Sequence, residues 1–170
     1  LGIKMNYKYT YKAPDDMSDM VMTSDGKYLT SLCFLGSCDM LKVESDGKEE
    51  ILPVFADTIK WLDMYFGGEL PDFMPKYKVL NITPFRSRVI DIMNKIPYGK
   101  TVTYNDIAKQ IANDRGIEKM SAQAVGGAVA SNPICIIIPC HRVVGSNGSL
   151  TGYGGGIENK KRLLELEGIL

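Results

Sequence analysis

A chain of 170 residues, 45% of them hydrophobic, is long enough to bury one good core, or a small domain beside a second, and carries no signature of disorder. Apolar runs such as Ile134–Ile138 fall far short of the ~20 residues that a membrane span needs, and no charged-then-apolar leader is visible, so a soluble cytoplasmic protein is expected. Net charge is zero but uneven: residues 1–80 hold 9 Lys and Arg against 13 Asp and Glu, and residues 81–170 hold 11 against 7, so a polyanion is expected to meet the second half.

The chain opens with Leu1 rather than methionine, and Leu1–Lys4 is set aside ahead of an expected start at Met5. Three short strands follow, at Tyr7–Tyr11, Met20–Thr23 and Tyr28–Phe34, punctuated by Ser-Asp-Gly at 24–26 and again at 45–47, which is hairpin chemistry. From Pro53 to Gly67-Gly68, apolar residues including Phe55, Ile59, Leu62 and Phe66 recur at helical spacing, predicting an amphipathic helix over the sheet. Pro71 and Pro75 mark a linker. Helices dominate beyond it. Thr83 is a good N-cap before Pro84, and Phe85, Val89, Ile92, Met93 and Ile96 keep one apolar face until Pro97 and Gly99 end it. A second helix is expected from Thr103, with Ile107, Ala108 and Ile111 inward. A third, from Ser121, is built of small residues, Ala122, Ala124, Gly126, Gly127, Ala128 and Ala130. Two glycines cost that helix about 1 kcal/mol each, so its small side chains serve close approach to another surface. Three helices followed by the β-branched run Ile136–Ile138, taken as a strand, suggest a winged helix-turn-helix whose third helix enters a DNA groove.

The four cysteines, Cys33, Cys38, Cys135 and Cys140, contain no CxxC pair, and the one histidine is His141, beside Cys140. No metal site and no cofactor are expected, and the cysteines read as thiols rather than a disulfide framework. A thiol attacks as its thiolate, and a neighbouring imidazole lowers the cost of ionising it. Either Cys140 is such a nucleophile, or it is a small buried hydrophobe with an incidental polar neighbour. Successive side chains of an extended segment point to opposite faces, so the two cooperate only if the backbone turns there.

The blocks around this pair decide the reading. Pro97-Tyr98-Gly99 with Tyr104, Ala124-Val125-Gly126-Gly127-Ala128, Asn132-Pro133, Pro139-Cys140-His141-Arg142-Val143 and the glycine-rich loop at Tyr153 closely resemble, in order and spacing, the O6-alkylguanine-DNA alkyltransferases. The likeness covers about residues 80–168, and the helix ending Tyr65-Phe66-Gly67 is similar to the family's N-terminal domain.

The resemblance implies an α+β fold: an N-terminal antiparallel-sheet, ribonuclease-H-like α/β domain over residues 5–75, then a winged helix-turn-helix-like alkyl-transfer domain over 81–170. It implies direct-reversal DNA repair by a monomer: an alkyl group leaves an extrahelical O6-alkylguanine of double-stranded DNA, or an O4-alkylthymine, for Cys140, once per protein molecule. By the same resemblance Cys140 is the acceptor, His141 takes its proton through a water, and Glu167 orients and charges the imidazole. Tyr104 donates toward N3 of the guanine, the carbonyls of Cys140 and Val143 accept from its exocyclic amine, and the Gly154 N–H meets O6. Gln123, Ala124 and Gly127 lie on the helix that meets DNA. Asn132 is a hinge tying that helix to the active-site strand or an ordinary turn residue. Tyr153 is a lid over the base or loop packing. Arg142 anchors the structure or reaches a phosphate, with anchoring favoured.

The chain departs from the family pattern at Gln123, where many members place an arginine that fills the gap left by the flipped base; an amide lacks that charge and stacking plane. The missing histidines also argue against the N-terminal zinc that some members carry. Three other functions compete. A non-catalytic lesion-binding relative would lack Cys140, a thiol hydrolase would need a second base-orienting constellation, and a plain DNA-binding regulator would need no reactive thiol.

Overall fold

The Ser-Asp-Gly turn at 24–26 works as its chemistry predicts: the Asp25 carboxylate accepts from the N–H of Lys27 (3.0 Å) and Tyr28 (2.8 Å), while Gly26 takes a positive φ of 106°. It joins strands β2 (Met20–Ser24) and β3 (Leu29–Phe34), and β1 (Tyr7–Tyr11) pairs antiparallel with β2. A short strand β4 (Lys48–Glu49) adds parallel to β1, so the sheet order is β3-β2-β1-β4. This computed structural model describes residues 6–37, 47–150 and 152–170; the expected start at Met5, the thiol Cys38, Ser45-Asp46 of the second turn motif and Thr151 lie outside them.

Helix α1 (Pro53–Phe66) starts at its proline and ends at Gly67, burying Val54, Phe55, Trp61, Leu62 and Tyr65. It covers the sheet through ring contacts, Phe55 with Tyr9 and Phe66 stacked on Tyr11 at 6.1 Å, and the Tyr11 hydroxyl donates to Asp63 (2.6 Å). The linker after α1 then runs back along β3, where Leu29 donates to Lys76 O and accepts from Lys78 N.

Helix α2 (Pro84–Met93) is capped by Thr83, whose hydroxyl accepts from the Arg86 N–H. Helix α3 (Tyr104–Arg115) opens on a full capping box between Thr103 and Asp106 and closes on Gly116 in the left-handed region. Helix α4 (Ala122–Ala130) is capped by Ser121. Both α2 and α3 pack on α4, the small-residue helix, and a two-stranded parallel ribbon of β5 (Val102–Thr103) and β6 (Val143–Val144) lies beside them. Helix α5 (Ile157–Leu166) closes the chain. One continuous buried cluster joins Met22, Phe34 and Leu62 of the first half to Val89, Ile107 and Ile138 of the second.

The run Ile136–Ile138 is not a strand. Only Ile134 bridges to β3, with Leu32 donating to Pro133 O and Cys135 donating to Leu32 O (both 2.8 Å). The chain then coils on itself. Ile137 donates to Cys135 O across a three-residue turn centred on Ile136 at φ 70°, a left-handed conformation that costs a β-branched residue ~1–3 kcal/mol. A second such turn centres on Pro139 (φ −81°, ψ 61°), with Cys140 N–H on Ile138 O. Asn132 makes this possible: buried, it donates to Ile134 O and Ile138 O and accepts from Ile134 N, replacing the ladder partners that a strand would have had. β-propensity loses here to one side chain that satisfies three backbone groups.

Candidate active site

The turn that the Cys-His pair requires is present. After Pro139 the chain makes a single 3-10 turn, Cys140–Arg142, before entering β6. Cys140 is 5% exposed and His141 fully buried. The thiol borders a cavity whose other walls include Tyr104 from α3, Asn132, and the loop residues Gly152, Tyr153 and Gly154. With a volume of about 10 Å³, that cavity has room for roughly one water molecule. A purine does not fit within a space of that size.

His141 Nε2 lies 2.5 Å from Glu167 Oε2, and its Nδ1 is buried with no hydrogen-bond partner among the described residues. Burial holds the imidazole below its ordinary pKa against the pull of Glu167, so the resting ring is neutral. With the proton on Nε2 toward the carboxylate, the Nδ1 lone pair is the basic position.

Glu167 is the hub. Burial alone would raise its pKa, but hydrogen bonds from His141, Arg142 and Tyr65 bring it down to about 2. Tyr65 donates to Oε2 (2.6 Å), Arg142 Nε and Gly99 N–H donate to Oε1 (2.7 and 3.1 Å), and a second guanidinium nitrogen reaches Oε2 (3.2 Å). Arg142 also donates to Ile96 O (2.8 Å) and lies over the Tyr98 ring, so its guanidinium is turned inward. The Pro97-Tyr98-Gly99 block thereby acquires a physical reason: Gly99, at φ 79°, aims its N–H at Glu167 while Tyr98 holds Leu166 O. Fixed charge in the network is balanced, Glu167 negative and Arg142 positive.

Of the residues singled out in the sequence, Cys140, Tyr104, Asn132, Tyr153 and Gly154 share the cavity, and His141, Glu167 and Arg142 share the network behind it. Val143 follows them, with its N–H on Cys140 O. Gln123, Ala124 and Gly127 are exposed on α4, and a Cβ added at Gly127 would meet nothing within 4 Å. Two participants escape a reading of the sequence. Tyr65 shows there only as part of the helix face that covers the sheet. Lys160, a completely buried lysine on α5, carries a fainter signal: its spacing with Leu163, Leu164 and Glu167 puts all four on one helical face. Among the described residues no cluster of three or more His, Cys, Asp or Glu could hold a metal ion.

Residues 84–169 match the 6-O-methylguanine DNA methyltransferase, DNA binding domain. A Haemophilus influenzae methylated-DNA–protein-cysteine methyltransferase is 37% identical over 95% of this chain and 86% of its own length. The chain belongs to the 6-O-methylguanine DNA methyltransferase family. The resemblance read from the sequence blocks is borne out. A methyltransferase of the same name from Mycobacterium leprae is 46% identical over 66% of this chain, a stretch that spans 65% of that relative. The fold agrees as well: a crystal structure of Mycobacterium tuberculosis OGT in complex with DNA superposes with a TM-score of 0.79 at 37% identity, covering 95% of this chain and 92% of the other. O6-methylguanine-DNA methyltransferase from Pyrococcus kodakaraensis gives 0.69 at 25% identity, over 96% and 99%. The α+β architecture is that of these methyltransferase structures, and among the described residues no helix is long and apolar enough to cross a membrane.

Proposed function

We propose that this chain repairs DNA by moving the alkyl group of an extrahelical O6-alkylguanine onto Cys140. It is a methylated-DNA–protein-cysteine methyltransferase by family. The observation that carries the residue assignment is the pairing of a thiol on a cavity wall with a buried imidazole whose Nε2 is held by Glu167 and whose Nδ1 is unused. His141 Nδ1 takes the thiol proton through a water, and Glu167 steadies the imidazolium that results. The thiolate attacks the alkyl carbon. One S–C bond forms, the C–O6 bond breaks, and its electron pair stays on the purine, which takes up a proton as Tyr104 donates toward N3. The proton that His141 took from the thiol then restores the Tyr104 phenol, so one proton leaves the thiol, one reaches guanine and none is consumed overall. A thioether has no good leaving group, so each molecule acts once.

Gln123, Ala124 and Gly127 form the exposed face of α4 that meets the duplex, and Arg142 positions Glu167. Tyr153 covers the base and Gly154 N–H meets O6, with the Cys140 carbonyl and the remaining lone pair of the Val143 carbonyl, which also accepts from Lys160, on the exocyclic amine. Both halves of the machinery, nucleophile and network, come from one chain, which suits a monomer, and a thiol nucleophile suits the reducing cytoplasm. Incubation with an oligonucleotide carrying O6-methylguanine, followed by mass spectrometry, is expected to find one methyl group per protein, on Cys140. Methyl on another cysteine, or sustained turnover, would overturn the assignment.

The exposed amide at Gln123 can hydrogen-bond the orphaned cytosine but brings no charge. Gln123→Arg is therefore expected to tighten duplex binding and steepen its salt dependence by up to about one counterion, while Gln123→Ala slows repair of duplex more than of single strands. Affinity against salt and repair rates for both variants decide it; unchanged values throughout would place residue 123 away from the DNA.

A further inference from the structure

Lys160 is a charged side chain with no exposure to solvent, and none of the transfer steps uses it. Its ammonium donates to Val143 O (2.7 Å), the carbonyl at the end of the Cys140–Arg142 turn, and sits 5.5 Å from the ring of Tyr153, which faces the Cys140 cavity. Among the described residues no carboxylate lies within ion-pair reach of Lys160, and Glu167, the acid nearest the site, is already matched by Arg142. A buried ammonium with no counter-charge is costly. The ionisable groups that face it are Cys140, His141 and Tyr153; of these the ionised thiol attracts it, while the charges of Glu167 and Arg142 are paired with one another.

We propose that Lys160 is a positioning residue that supplies the counter-charge of the Cys140 thiolate, held at the turn by the Val143 carbonyl, so that removal of the thiol proton by His141 creates an ion pair rather than an isolated buried anion. Burial draws the lysine down to about 8, and the Cys140 charge pulls the other way, as this pairing requires. The same arrangement makes alkylation an electrostatic event. The thioether carries no charge, so a spent molecule holds the ammonium without its partner. This inference rests on Cys140 being the acceptor.

The test is a thiolate titration by ultraviolet absorbance, taken as the difference between each protein and its Cys140→Ala counterpart, which needs no reagent to enter the cavity. Lys160→Met, which keeps the stem and removes the charge, is expected to raise the Cys140 midpoint enough to cut the thiolate fraction at neutral pH at least tenfold. Its transfer rate should recover as pH rises, and Lys160→Arg should keep most of the parental midpoint. An unmoved midpoint in a folded Lys160→Met protein would reduce Lys160 to a packing residue. Should that variant fail to fold, the parent protein answers: with lysines carrying a carbon-13 label, the Lys160 resonance is expected to titrate at lower pH after Cys140 is methylated. Identical midpoints before and after overturn the proposal. Failure of the function reading looks different, since no methyl would then be found on Cys140.

Discussion

Transfer is expected to vanish, with lesion binding preserved, when Cys140 is replaced by alanine. The thiol contributes the attacking atom, while Tyr104, Tyr153 and Gly154 border the same cavity and the Asn132 ties that shape the turn do not involve the sulfur. Removing one buried sulfur from a site with so little free space leaves a hole of about one methyl-sized group, costing on the order of 1 kcal/mol, too little to unfold the domain. Affinity for a methylated duplex by fluorescence anisotropy should therefore stay within about threefold, because phosphate and base contacts carry it, while no methyl is acquired by the protein. Loss of affinity together with transfer would mean that recognition and chemistry are not separable in this site.

Glu167→Gln is expected to hit stability and rate together. The groups that hydrogen-bond Glu167 hold its carboxyl well below the ordinary carboxylate range, so the ionised form stabilises the native state. The amide also leaves Arg142 buried without its counter-ion, and removing one partner of a buried pair costs ~3–5 kcal/mol, an overlapping measure of the same loss. The sign follows from the direction of the shift. The native carboxyl ionises below its unfolded value, so its contribution is complete above about pH 4.5 and fades as pH falls toward 2. Chemical denaturation across pH should show the wild type losing stability through that window and the variant much flatter. Transfer should slow about 100-fold without vanishing, because the Cys-His pair remains but the imidazolium loses its anion. A variant with parental stability at pH 7 would overturn the role of Glu167 as hub.

Much of this is legible in the sequence because short-range chemistry dictates it. Pro53, Thr83-Pro84, Thr103 and Ser121 start helices wherever they stand before an apolar periodic run, and all four do so here. The ordered blocks around Cys140 also name the cavity walls. Two things are not legible. Ile136–Ile138 has the composition of a strand, but Asn132 ties Ile134 and the carbonyl of Ile138 at the two ends of a stretch that turns on itself; propensity describes a residue and not the partner that outbids it. Tyr65 reaches Glu167 across 102 positions of sequence, and nothing within α1 distinguishes a core tyrosine from one whose hydroxyl meets a carboxylate. Lys160 is the intermediate case, since a lysine on an apolar helical face stands out from the periodicity of α5 alone.

The small size of the cavity beside Cys140 has a meaning for a molecule that is spent by its own reaction. Such a protein behaves as a stored reagent, and its useful lifetime depends on how well the thiol is kept from peroxide and stray electrophiles while it waits. At 5% exposure, beside a space the size of one water, the sulfur offers oxidants and electrophiles little access. Burial of the acceptor thiol therefore also preserves the inventory of unused molecules.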